Sequence, residues 1–156
     1  MFPLEFLKLP IEPPSALSLA SAELLRTEVY RETNYYPTPQ KYLEARRPDV
    51  NTLYALIRVG SGLLAAATVI LDSGITFINE IAVHPDQKVR GKGYGYLFMC
   101  HIAQEAKHAG ADHLKLDPVS EESRIAFSRM GFQSDEIDNP YVAMTACVDI
   151  FPTPEA

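Results

Sequence analysis

The sequence has no tryptophan, only two cysteines in 156 residues, and no surplus of positive charge. Each scarcity excludes something. Cys100 falls in a predicted helix and Cys147 in a predicted strand. Both read as small core residues rather than a disulfide or a metal pair, which fits a reducing compartment. The four histidines, His84, His101, His108 and His113, show no His-x-x-x-His spacing and no clustered carboxylates. No metal is therefore expected. Lys and Arg number 14 against 20 Asp and Glu, a net charge of -6. That weighs against general nucleic-acid binding, because a phosphate-neutralising face needs spare cations. No apolar run reaches the roughly 18 residues of a membrane span. No basic stretch followed by an apolar one opens the chain, so we expect a cytoplasmic protein and no membrane partner.

What is present suits a globular protein: 47% of residues are hydrophobic and 22% charged. The length predicts a single domain over residues 1–151, with 152–156 as a flexible tail.

The elements follow from pattern. Leu4–Leu9 reads as a short strand. Pro10, Pro13 and Pro14 stop it and set up a helix from Ser15 to about Arg31, with Leu17, Ala20 and Leu24 on one face. Asn34 to Pro39 is a proline-rich loop, and Thr38 or Pro39 opens a shorter helix through Arg46. Three strand-like runs come next. Thr52–Val59 alternates, with Leu53, Ala55 and Ile57 on one side. Leu63–Leu71 is almost wholly apolar and reads as a central strand, and Ile75–Val83 is the third. They predict an antiparallel meander. A helix from about Gly93 to Ala109 buries Leu97, Phe98, Ile102, Ala106 and Ala109. His113–Asp117 is a strand, parallel to the one before the helix because a crossover joins them. Ser120 caps a helix through Met130, which Gly131 ends. Phe132–Ile137 and Tyr141–Ile150 are the last strands. The order is β-α-α-β-β-β-α-β-α-β-β, with no internal repeat.

The informative stretch is Arg90-Gly91-Lys92-Gly93-Tyr94-Gly95. It lies between a strand and an amphipathic helix. A helix start leaves N–H groups unpaired and carries partial positive charge. Glycines let that backbone approach an anion closely, and Arg90 and Lys92 add charge. The stretch predicts a pyrophosphate site. A dinucleotide fold fits poorly, since Gly91-x-Gly93-x-Gly95 is not Gly-x-Gly-x-x-Gly and three antiparallel strands precede it. The Gly-x-x-x-x-Gly-Lys-Ser/Thr pattern of a nucleotide P-loop is absent.

With Ile81-Ala82-Val83-His84-Pro85 before it, this stretch resembles the acyl-CoA-binding motif of the GNAT superfamily of N-acetyltransferases, Gln/Arg-x-x-Gly-x-Gly/Ala after a strand ending in Val-x-Pro. Ala126-Phe127-Ser128-Arg129-Met130-Gly131-Phe132 is similar to the family's late helix, typically Leu-Tyr-x-x-x-Gly-Phe. The element order matches over nearly the whole chain. The resemblance implies a mixed α+β fold, with a central, mostly antiparallel twisted sheet of about six to seven strands and helices on both faces. It implies acetyl-CoA as the acyl donor and an amine-bearing acceptor. The loop backbone from Arg90 to Gly95, with Gly91, Lys92, Gly93 and Tyr94, would hold the pyrophosphate. The strand at Ile81, Ala82 and Val83 would pair with the pantetheine arm, one N–H polarising the thioester carbonyl. Ser120 and Phe127 fall at further cofactor-binding positions.

This sequence departs from the pattern in three places. The loop from Pro85 to Arg90 is two residues longer than usual, so Lys88 offers an alternative anchor for the motif. Ser120 stands where Asn is common. Phe127 stands where the family often has the Tyr that protonates the leaving thiolate, and Phe has no proton to give. Water or another tyrosine must supply it, with Tyr141 as the candidate, or the domain binds acyl-CoA as a regulatory module without efficient transfer. By the same resemblance Glu80 is the candidate base, a partly buried carboxylate whose pKa burial would raise. Asn79 is a candidate for orienting the amine or a water. Asn34, Tyr35, Tyr36 and Tyr42 lie where acceptor-binding segments fall in the family; they line a pocket or pack the helices. The long last strand leaves a homodimer open. A toxin-like enzyme acting on an aminoacyl nucleic acid is a weaker reading, against the net charge.

Overall fold

Ser15 starts the first helix as its spacing predicts. Its Oγ accepts the Ser18 N–H at 3.0 Å, and the helix runs from the next residue. In the computed structural model, which describes residues 3–31, 34–60, 62–86, 93–136, 139 and 142–154, the elements are β1 (Leu4–Leu9), α1 (Ala16–Glu28), α2 (Pro39–Glu44), β2 (Thr52–Arg58), β3 (Gly62–Ile70), β4 (Ile75–Val83), α3 (Tyr94–His108), β5 (His113–Leu116), α4 (Glu121–Met130), β6 (Gln133–Ser134) and β7 (Met144–Cys147). A 3₁₀ turn over Val148–Ile150 follows β7. The strands form one seven-stranded sheet in the order β1-β2-β3-β4-β5-β7-β6. The fold is mixed α+β with a mostly antiparallel sheet, as the sequence led us to expect. β4 and β5 are the parallel pair, in register from Ile75–His113 to Ile78–Leu116.

The chain divides into two compact units, Met1–Val69 with Glu80–Phe98 and Ile70–Asn79 with Met99–Ala156. In the first, α1 and α2 bring Leu24, Leu25, Tyr42 and Leu43 into one apolar cluster with Ile11, Leu53 and Ala66. Thr38 caps α2 by accepting the Lys41 N–H at 3.1 Å, with Pro39 in the first turn, so this short helix begins where the sequence says it must. The expected one-sided burial of β2 is not found. Tyr54 and Leu56 are as buried as Leu53 and Ala55. β2 is an interior strand, paired to β1 and β3, with a register shift at Leu56/Ile57. Tyr54 stacks on Phe6 at 4.9 Å, and Phe6 meets Phe98 of α3 at 5.8 Å.

In the second unit, α4 ends at Gly131, which adopts φ 114. The last strands are shorter than predicted, for reasons visible in the backbone. The Phe132 N–H is spent on Phe127 O at 3.1 Å, which leaves only Gln133 and Ser134 for β6. The Val148 N–H turns away to Asp112 O at 2.9 Å, which ends β7 after Cys147. β7 pairs with β5 on one side and with β6 on the other. Neither Cys100 nor Cys147 forms a disulfide. Among the described residues no helix is long and apolar enough to cross a membrane.

Candidate active site

Along β4 the alternate residues Ile78, Glu80 and Ala82 are buried. Glu80 is thereby carried into the interior of the first unit, 7% exposed. A charge there must be paired and hydrogen-bonded to be tolerated. Arg46, just past the end of α2, supplies the pair: Nη2 lies 3.0 Å and Nε 3.2 Å from Glu80 Oε1. The hydroxyls of Tyr42 and Thr68 also donate to Oε1, and Tyr30 donates to Oε2 at 2.8 Å. The carboxylate is thus met by donors on both oxygens. Burial, reinforced by Glu80, pushes the Tyr42 and Tyr30 phenols upward, so both remain O–H donors at neutral pH.

Above this ion pair sit four tyrosines. Tyr36 is edge-on to Tyr30, Tyr35 and Tyr42, with ring centres 4.9–5.3 Å apart. Tyr35 lies parallel to Tyr30 at 5.8 Å and is 72% exposed. The Arg46 guanidinium lies 4.2 Å from the Tyr42 ring centre and 5.1 Å from that of Tyr36, and its Nη1 donates to the Tyr36 hydroxyl at 3.2 Å. The planar cation therefore holds the aromatic group from beneath, by cation–π contact and hydrogen bonds together. Beside it opens a cleft of about 280 Å³ with Ile11 and Leu43 as apolar lining, Glu12 and Glu44 among its polar residues, and Arg46 in its wall.

The sequence signalled Glu80 and Tyr42 but not Arg46, Tyr30 or Thr68. Two signals were available. Arg46 stands four residues after Tyr42, one helical turn on. Thr68 is a lone polar residue in the apolar run of β3.

At the C-terminal end of β4, Ile81 and Val83 are half-buried and Ala82 is buried. Asn79 is exposed. Arg90, Gly91, Lys92 and Tyr141 lie outside the described residues. Of the loop, Gly93 adopts φ 80, and among the described residues nothing lies within 4 Å of where a side chain would begin. Tyr94 and Gly95 open α3, whose Leu97 N–H closes on Gly93 O at 3.0 Å. The first turn of α3 carries no acidic residue. A left-handed glycine leading into a helix start without acidic side chains fits a phosphate-bearing ligand. In α4, Ser120 accepts the Ser123 N–H at 3.0 Å and so caps the helix. Phe127 is half-buried and edge-on to Phe132 at 5.8 Å. No group of three or more potential metal ligands occurs among the described residues.

Solved structures share this fold. The crystal structure of aminoglycoside 6'-acetyltransferase type Ii matches with a TM-score of 0.71 at 14% identity, over 96% of this chain and 99% of that one. AtaTR bound with AcCoA matches at 0.65 and 14% identity, and a KacTA–DNA complex at 0.65 and 17%, each over 94% of both chains. No curated protein matches the chain in sequence. The model of the acetyltransferase (GNAT) family matches residues 20–132, most of the chain, with β4, the glycine loop and α3 inside the match. The chain belongs to the GNAT family of acetyltransferases, enzymes for which acetyl-CoA is the co-substrate.

Proposed function

We propose that the protein transfers the acetyl group of acetyl-CoA to a primary amine by direct attack within one ternary complex. The observation that carries this reading is the head of α3, where Gly93 turns left-handed into a helix start free of acidic residues. The backbone there, with Arg90, Gly91 and Lys92, receives the diphosphate of CoA. The pantetheine arm runs along β4 at Ile81–Val83. The amine nitrogen attacks the thioester carbonyl carbon. The N–H of Ala82 or Val83 stabilises the oxyanion of the tetrahedral intermediate. The C–S bond then breaks, the amide forms, and CoA leaves as a thiolate. The amine gives up one proton and the thiolate takes one.

The donors around Glu80 favour a particular division of labour. Its oxygens already receive Arg46, Tyr30, Tyr42 and Thr68. In our reading Glu80 anchors the tyrosine group, and a water, oriented by Asn79, accepts the amine proton. The carboxylates Glu12 and Glu44 beside the cleft favour an acceptor with positive charge, the chemistry of aminoglycosides and of lysine-bearing peptides alike. Tyr141 is the proposed proton source for the thiolate.

The test is heat-stabilisation and calorimetric binding with acetyl-CoA, followed by CoA-thiol release across a panel of amines. Ligand binding to the folded state alone must raise the melting point. No stabilisation and no heat of binding would refute the assignment. Phe127 in place of the common tyrosine supports a second reading, an acyl-CoA-binding regulatory module. Binding of acetyl-CoA with no thiol release from any amine would favour it.

A further inference from the structure

We propose that Arg58, outside the glycine motif, is a positioning residue for the acetyl-CoA anchor, acting through the hydroxyl of Tyr94. This rests on the placement of the diphosphate at the head of α3 given above. Arg58 is the last residue of β2, in register with Gly62 across the β2–β3 hairpin. Its Nη2 donates to the Tyr94 hydroxyl. Tyr94 is the first residue of α3, directly after the left-handed Gly93. Tyr94 and Phe98 are one helical turn apart on the same face of α3. Phe98 already packs on Phe6, so Arg58 and Tyr94 extend a contact that fixes α3 against the β1–β2 pair.

The charge of Arg58 points to more than packing. Among the described residues it has no carboxylate partner, and its buried Nε has no hydrogen-bond partner. The group it does bind opens α3, where unpaired N–H groups and the helix dipole are themselves positive. The guanidinium lies 5.5 Å from the centre of the Tyr94 ring, so a second positive charge is held on the residue that opens the helix, and an unpaired buried donor is costly. Elsewhere in this unit the chain neutralises its buried cation, Arg46, with Glu80. At Arg58 it does not. A phosphate at the α3 head supplies the missing negative charge, and the Arg58–Tyr94 bond holds the first turn in place to receive it.

The experiment compares calorimetric affinities of wild type, Tyr94→Phe, Arg58→Gln and Arg58→Lys for acetyl-CoA and for S-acetylpantetheine, which has the thioester arm without the nucleotide. Tyr94→Phe keeps the ring and removes one oxygen, so the fold is retained. We expect acetyl-CoA affinity to fall about tenfold in Tyr94→Phe and Arg58→Gln, the size of one charge-assisted hydrogen bond. Arg58→Lys should recover part of it, Tyr94→Phe combined with Arg58→Gln should be no worse than Arg58→Gln alone, and S-acetylpantetheine binding should not change. Unchanged acetyl-CoA affinity in both variants overturns the proposal, as does an equal loss for both ligands, which marks a merely structural bond. Wild type that binds no acetyl-CoA refutes the function itself and this inference with it.

Discussion

Arg46 and Glu80 meet at 3.0 Å, with 8% and 6% of their side chains exposed, and each is the other's counter-ion. Such a pair is weak evidence for net stability, but losing half of it leaves a buried charge alone. Glu80→Gln is therefore expected to destabilise the fold by about 3 kcal/mol. Arg46→Met should do the same, and Arg46→Met with Glu80→Gln should cost less than the two added together. Urea titration of the three variants checks this. If Glu80→Gln leaves stability unchanged while abolishing turnover, the carboxylate is a base and not an anchor.

Gly93→Glu should abolish acetyl-CoA binding without unfolding the protein. Among the described residues the new side chain meets no neighbour, so no packing with them is lost. It brings negative charge to the phosphate position and a left-handed φ of 80 that a side chain resists. Calorimetry with acetyl-CoA beside a thermal melt separates the two effects. Full affinity in the variant would remove the loop from the site.

Phe127→Tyr is expected to speed CoA release about tenfold or more with any accepted amine, by restoring a proton donor at the leaving thiolate. Phe127 is half-buried in α4, so an added hydroxyl is tolerated. Rates compared at saturating substrate decide it. An unchanged rate means that another group, such as Tyr141, already protonates the thiolate.

Acid should weaken the fold through His101. Burial holds its imidazole below the ordinary 6.5, with Glu105 opposing. A depressed folded pKa means that the unfolded chain binds the proton first as pH falls. The stabilisation is present above about pH 6.5 and is lost as pH drops through the lower folded value. Melting temperatures at pH 7.5 and 5.5 should differ more for wild type than for His101→Gln; equal differences would exclude His101 as the source. Asp135, which the Thr145 hydroxyl and Lys115 hold below its ordinary 3.8, acts only in stronger acid.

Much of this was legible in the sequence because the signals are local. Ser15, Thr38 and Ser120 cap helices that begin where those residues stand, and Gly131 ends α4. The crossover between β4 and β5 fixes a parallel pair by connectivity alone. The failures are of another kind. Alternation in β2 misled because both its faces are covered by other elements: Leu53 lies in the cluster with α1 and α2, and Tyr54 stacks on Phe6, which meets Phe98 of α3. The last strands were overestimated because apolar content does not reveal where the Phe132 and Val148 N–H groups go. Arg46 and Arg58 were missed because a cation's partner is a matter of tertiary placement. Glu80 is 34 residues from Arg46, and Tyr94 is 36 from Arg58.

The helix α4 has a consequence for exchange kinetics. None of its ten residues is buried. Beyond the half-buried Phe127 against Phe132, it is held by the Ser120 cap, the turn at Gly131 and its own hydrogen bonds. Local opening should therefore require far less free energy than global unfolding. Its amides should exchange with deuterium well ahead of those at Phe98, Ile102 and Ala106 in α3. A ligand that covers its exposed Ile125 would slow that exchange, making α4 a built-in reporter of occupancy.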